Sequence, residues 1–221
     1  GTGQIGGDLV FDGVNDYVNL GANRSYFNSA ASATVSLWVN PTTISGTQNL
    51  FAGSINNGGS PSSSSRFTVI QSDSNIRVIV RSDDATQMSV TTTTDPLTAG
   101  TWKNVTAVVD VLADTVAVYV NGVLQSTSGS INLPNAAFPA TSSAVTVLGA
   151  EDDGASDYFG GQLDEVRIVR TARTAGWVVT EYNNQNSPGT YISFASEEGP
   201  PVITSNGAGA TASINVAENT T

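Results

Sequence analysis

Short segments that alternate apolar and polar residues constrain this chain most, broken about every 8–15 residues by Gly, Ser and Asn. Residues 34–40 alternate with period two and stop at Pro41, which cannot donate to a ladder. Ile76, Val78 and Val80 fall on one face of the next clear strand, with Arg77 and Arg81 opposite. Residues 116–120 run into Asn121-Gly122 and resume at Val123-Leu124. An Asn-Gly pair between apolar strands predicts a type I′ hairpin, because both central residues need positive φ. Further strands are predicted at 9–11, 66–71, 105–109, 145–148 and 166–169, and the threonine run 91–94 reads as one more. A single helix is expected from a Thr174 cap to near Asn184, with Val178 and Tyr182 on one face. The pattern predicts an all-β fold, a two-sheet antiparallel β-sandwich of jelly-roll type with one short helix near its C-terminal end.

The polar surface of such a sandwich comes here from Gly, Ser, Thr and Asn. Charged residues make up only 12% of the chain, against about 25% in ordinary domains. Net charge is −11, from 19 acids and 8 bases. That balance repels nucleic acid and anionic membrane surfaces, so neither is an expected partner. Acids in excess on a chain this poor in charge point either to a divalent cation or to solubility alone. Cysteine and histidine are both absent, which removes disulfides, thiolate and imidazole nucleophile pairs and the commonest transition-metal ligands. No apolar run reaches the roughly 20 residues of a membrane span, and Gly1-Thr2-Gly3 carries no signal peptide. The chain reads as a segment of a longer protein.

Composition shifts at Glu197-Glu198-Gly199-Pro200-Pro201. A Pro-Pro pair after acids cannot continue a sheet and reads as a linker. The expected division is a main domain at 1–196, then a linker and the truncated first strand of another β domain at 197–221.

Five stretches carry a family resemblance. Leu9-Val10-Phe11-Asp12-Gly13-Val14-Asn15-Asp16-Tyr17-Val18 resembles the opening motif of laminin-G-like jelly rolls, in the concanavalin A-like lectin/glucanase superfamily. Residues 33–41 resemble the tryptophan strand of that family, Gly100-Thr101-Trp102-Lys103-Asn104-Val105 its G-x-W-x-x-V strand, and Tyr119-Val120-Asn121-Gly122 its YVNG hairpin. Gly161-Gln162-Leu163-Asp164-Glu165-Val166-Arg167-Ile168 resembles the closing strand. The resemblance spans about residues 5–185 and implies a concanavalin A-like fold. Thr180–Gln185 with Ser187-Pro188 resembles the tail of such domains in large bacterial surface proteins, and Pro200-Pro201-Val202-Ile203-Thr204 the start of a cadherin-like repeat.

The first candidate site is metal-binding. Asp12, Asn15 and Asp16 crowd a glycine-containing turn, and calcium accepts six to eight oxygens in irregular geometry. The resemblance places the strand of Asp164 beside the first strand, with carbonyls of Gly13 or Gln162 completing a calcium (Ca2+) shell. The alternative is an Asx-turn network bonding only backbone N–H groups. Glu151, Asp152, Asp153 and Asp157, beside Tyr158, form a second acidic loop, either a rim site for a ligand or simply solvated. Trp38 is opposite Val35, Leu37 and Val39, so it is either an exposed sugar platform or covered. Arg66, Arg77 and Arg81 either line a sheet face to grip a ligand or pair with Asp73, Asp83 or Asp84.

The closely spaced E-x-D-x-x-E acids of glucanases are missing, and Asp164-Glu165 face opposite sides of a strand, so no catalysis is expected. The expected function is a calcium-dependent, lectin-like module for a glycan or other cell-surface ligand. Its setting is a secreted or bacterial cell-surface adhesin, as a monomeric unit of a multidomain chain. The alternatives are a structural spacer in which calcium serves only stability, and an accessory carbohydrate-binding module of a secreted hydrolase.

Overall fold

The computed structural model describes residues 2–21, 26–56, 66–83, 86–139, 144–151 and 156–191. The expected linker and second domain at 197–221, the loop 60–65, and Asp84, Asp152 and Asp153 lie outside the described residues.

Two antiparallel sheets form a sandwich. In the front sheet the order is β1 (Leu9–Asp12), β13 (Gly160–Val169), β3 (Ser32–Pro41), β8 (Lys103–Asp110), β9 (Thr115–Val120) and β10 (Val123–Leu124). The back sheet runs β11 (Thr127–Ser130), β7 (Met88–Thr92), β6 (Asn75–Val80), β5 (Phe67–Ser72), β4 (Thr47–Asn56), β12 (Ala144–Leu148) and β2 (Val18–Asn19). The jelly roll expected from the alternation is present.

Alternation sets the core. Val35, Leu37 and Val39 of β3 face inward with Val105, Ala107 and Val109 of β8, and meet Ile76, Val78 and Val80 of β6. Phe27, Phe51, Phe67 and Phe138 fill one part of the core, and Phe27 meets Phe51 and Phe67 edge-on at centroid separations of 6.0 and 5.9 Å. That geometry suits the opposite charges of ring face and edge. The Asn121-Gly122 turn forms as predicted, with φ of 50° and 74° at its two residues. Asn121 Oδ1 also accepts the backbone N–H of Asn104 at 2.9 Å, which ties the hairpin to β8.

Three strands were not evident in the sequence pattern. β4 is a central strand in which residues 49–53 are buried without alternation, with a register shift between Asn49 and Phe51. A bulge of that kind erases the period-two signal. β11 is wholly exposed Thr-Ser-Gly-Ser on the sheet edge, and β2 has only two residues, so neither contrasts with a loop.

The outer face of the front sheet is covered too. Thr34, Ser36 and Trp38 point outward yet are buried. Thr34 Oγ1 donates to Thr171 O at 2.7 Å and accepts Arg173 N–H at 3.0 Å. Helix α1 (Ala175–Asn186) lies over this face, capped by Thr174, whose hydroxyl accepts Trp177 N–H at 3.2 Å. Val108, Tyr119 and Val178 form a second small core beneath it. A one-turn helix α2 (Pro188–Tyr191) follows. Among the described residues no helix is long and apolar enough to cross a membrane.

Candidate binding site

One end of the sandwich holds an open groove of about 410 Å³, lined by the Asp12-Gly13 turn, the hydroxyls of Thr42, Thr43, Ser45 and Thr47, and Gln48 and Tyr158. Strand pairing builds it. Asp12 sits opposite Gly160, and Gly161 opposite Pro41, so β1, β13 and β3 end side by side. Pro41 closes β3, and the exposed loop 42–46 turns back into β4.

Gln48 holds the groove together. Its Oε1 accepts Gly160 N–H at 2.8 Å, and its Nε2 donates to Thr43 Oγ1 at 3.1 Å and Ser45 O at 3.4 Å. Thr42 N–H reaches Gly160 O at 2.9 Å, and Gln71 Nε2 donates to Thr43 O at 2.7 Å from the next strand. Asp157, at a φ of 48°, presents its carbonyl to Asn49 N–H at 2.8 Å and so positions half-buried Tyr158. The groove thus offers hydroxyls, an amide, a carboxylate and a ring on a fixed frame. Sequence reading missed 42–48. Its available signal was a strand-ending proline followed by a run of hydroxyl residues.

The six residues expected to share one calcium do not converge. Asp12 lies opposite Gly160, so Asp164 is four residues further along β13, or about 13 Å at strand rise. Both oxygens of Asp164, which is 7% exposed, are engaged: Oδ2 accepts Ile5 N–H and Oδ1 accepts Glu165 N–H, each at 2.8 Å. Gln162 joins Asn40 at 2.7 Å and Asp8 at 2.5 Å. At the turn, Asp12 Oδ1 accepts Val14 N–H at 2.8 Å and Asn15 N–H at 3.3 Å, while Asp16 Oδ2 accepts Asp12 N–H at 3.0 Å. Those N–H groups, Val14's first, hold the Asp12 carboxyl below the usual carboxylate range. This is the Asx-turn network of the alternative reading. Among the described residues no group of three or more acidic side chains could hold a metal ion.

Other expectations are corrected by burial. Trp38 is 2% exposed and no platform for a sugar. Its indole N–H donates to Gln185 Oε1, and Tyr182 of α1 packs on its ring at a centroid separation of 5.8 Å. Of the three arginines, burial removes only Arg66 from a gripping face; Arg77 and Arg81 are half-buried. Arg66 is 1% exposed and donates to Asp83 O at 2.9 Å, Arg77 reaches Ser89 Oγ at 3.5 Å, and Arg81 bonds Gln87. Glu151 is half-buried and its N–H bonds Ser156 O at 2.9 Å.

Residues 12–179 match the family model of the concanavalin A-like lectin/glucanases superfamily, and the chain belongs to that family. No curated protein matches the sequence. Solved structures share the fold at low identity. One is the carbohydrate-binding module of the Ruminococcus gnavus IT-sialidase, bound to α2,3-sialyllactose, at 14% identity and TM-score 0.62, covering 79% of this chain and 96% of that one. A heptameric pentraxin from Limulus polyphemus has 18% identity and TM-score 0.59, covering 79% and 81%. Domain 4 of the Geobacillus stearothermophilus arabinanase AbnA, in complex with arabinotriose, has 22% identity and TM-score 0.52, covering 81% and 78%.

Proposed function

We propose that this domain is a non-catalytic glycan-binding module that takes its ligand in the end groove. The observation that carries the reading is the lining of that groove: four hydroxyl side chains, Gln48, Asp12 and a tyrosine ring held by backbone and amide bonds. Sugar hydroxyls need donors and acceptors at fixed positions, and an aromatic ring packs against sugar C–H faces. Two structural relatives solved with saccharides support the same ligand class. Asp12 is the one carboxylate among the described lining residues, whereas glycoside hydrolysis uses a pair.

Calcium dependence enters this reading through the turn alone. Asp12, Asn15 and Asp16 are exposed beside the groove, and carboxylate and amide oxygens are calcium ligands. No step of glycan binding is routed through it. Placement outside the cell, in a bacterial surface adhesin, rests on the motif resemblance of residues 180–221.

Calorimetric titration with a panel of neutral and sialylated oligosaccharides tests the proposal. Tyr158→Ala and Gln48→Ala are each expected to weaken binding about tenfold, or about 1.4 kcal/mol. Saccharide binding that neither substitution weakens overturns the groove assignment. Release of reducing ends overturns the non-catalytic reading, and a Tm that EDTA leaves unchanged removes calcium from it. A blank panel together with a calcium-dependent rise in Tm supports a spacer role instead.

A further inference from the structure

Charge around the end groove has one sign. Asp12 is the one charged residue among its described lining residues. Three further carboxylates stand at the rim. Asp16 Oδ2 accepts Asp12 N–H at 3.0 Å. Asp73, in the turn between β5 and β6, accepts at Oδ1 the N–H of Gly46 at 2.9 Å, and Gly46 lies between the lining residues Ser45 and Thr47. Asp157 immediately precedes the lining residue Tyr158. All four acids are exposed.

The bases at this end of the sandwich are directed elsewhere. Lys103 pairs with Val39, three residues before Thr42, on a strand three places from β1. Its backbone is therefore about 17 Å from that of Asp12 in the sheet. Arg77 of β6 reaches Ser89 Oγ of β7 at 3.5 Å, on the side of β6 away from β4.

An acidic ligand is gripped by a guanidinium, an ammonium or open backbone N–H groups. Here the protein's own carboxylates already occupy backbone donors at the rim. Val14 and Asn15 donate to Asp12, Asp12 to Asp16, and Gly46 to Asp73. Gly160 N–H is taken by Gln48 Oε1. Bonds of this kind favour the ionised acid and so fix negative charge at the mouth of the groove. The hydroxyls of Thr42, Thr43, Ser45 and Thr47 both donate and accept, which suits a ligand made of hydroxyls.

Given the glycan-binding reading of this groove, on which the inference rests, we infer that it selects saccharides without acidic groups. Asp12, with Asp16, Asp73 and Asp157 at the rim, turns away uronic acids and sialylated glycans. Unit charges about 6 Å apart at a protein surface repel enough to weaken binding about tenfold. The net charge of −11 opposes the approach of an anion as well.

The test is calorimetric titration of the full chain, with and without EDTA. Lactose, cellotriose and arabinotriose are each compared with the same sugar oxidised at its primary alcohols to carboxylates. For a sugar that binds, the acid form is expected to bind about tenfold more weakly or worse. The ratio is expected to fall toward one in about 1 M NaCl, where the Debye length is about 3 Å. It is expected to fall to about threefold or less in Asp12→Asn combined with Asp157→Asn. Asparagine keeps an acceptor for Val14 and Asn15 and tolerates the φ of 48° at position 157, and a thermal melt checks that the fold is retained. An acid form that binds as tightly as its neutral match in either buffer, while Tyr158→Ala weakens both, overturns the inference and leaves the groove assignment standing. A ratio unmoved by salt and by the double variant also overturns it, because the discrimination is then not one of charge. A blank panel, or binding that Tyr158→Ala and Gln48→Ala leave intact, overturns the groove assignment and the inference with it.

Discussion

Replacing Gln185 by leucine tests whether α1 is pinned to the front sheet by one hydrogen bond. Trp38 is 2% exposed and its indole N–H donates to Gln185 Oε1, across 147 residues of sequence. Leucine keeps most of the volume but removes the acceptor. The indole N–H is then buried with nothing to receive it, which costs about 1–3 kcal/mol. Glu181 loses the Gln185 amide but keeps Arg167, so the penalty centres on the indole. For a domain of this size each kcal/mol moves Tm by about 2–4 °C, so a cost near 2 kcal/mol lowers it by about 4–8 °C. Urea and thermal unfolding, followed by circular dichroism, measure the change. A double-mutant cycle isolates the cause. Trp38→Phe removes the donor, and in that background Gln185→Leu is expected to cost at least about 1 kcal/mol less. If the cost is the same in both backgrounds, or Tm moves by less than about 1 °C in the single variant, the pin is not what holds the helix.

Other perturbations have equally definite outcomes. Gly161 has a φ of 153°, and a Cβ there would lie 2.5 Å from Asn40 O and 2.6 Å from the Phe159 ring, so Gly161→Ala is expected to cost about 2–4 kcal/mol in urea unfolding. Asn121→Ala loses both the positive-φ preference and the bond to Asn104. It is expected to cost about 1–2 kcal/mol, with Asn121→Gly recovering the conformational part. Asp12 has a lowered pKa because backbone N–H groups favour its charged form. Its contribution is full above the unfolded-state pKa and is lost as pH falls through the folded-state value, so Asp12→Asn flattens the acid limb of the Tm profile. Glu181 is the reverse: burial raises its pKa against the pull of Arg167 and Arg173. Its penalty is present above the folded-state pKa and is relieved as pH falls through it, so Glu181→Gln removes a rise in Tm over that window.

Much of the fold was legible because burial and chain period agree. β6 alternates in burial, β3 alternates apolar and polar residues although both its faces are covered, and the Asn-Gly turn after β9 names its own geometry, so these elements could be read directly. β4 could not, because a central strand buried on both faces with a bulge loses its period. The site was less legible. Asp12 and Tyr158 were singled out, and the structure brings them together. Their partners at 42–48 are ordinary Thr, Ser and Gln, whose role comes from strand ends meeting rather than from any motif. The calcium set failed on register. Asp12 and Asp164 sit on neighbouring strands, but at levels four residues apart, and sequence order carries no record of pairing level. Trp38 shows the same limit. Alternation assigned its face correctly, and only tertiary structure shows that a helix far along the chain covers it.

The position of β13 in the front sheet also governs how the chain can mature during synthesis. This strand lies between β1 and β3, although it is the last of the described strands to be made. Until residues 160–169 have left the ribosome, β1 has no neighbour in its sheet and β3 keeps one edge open. Translation at about 5–20 residues per second leaves that gap exposed for roughly 8–30 seconds. Chaperone capture or pairing between nascent copies is therefore most expected in that interval. Variants that weaken β13 should first appear as poor yield from cells, before any loss of stability in the purified protein.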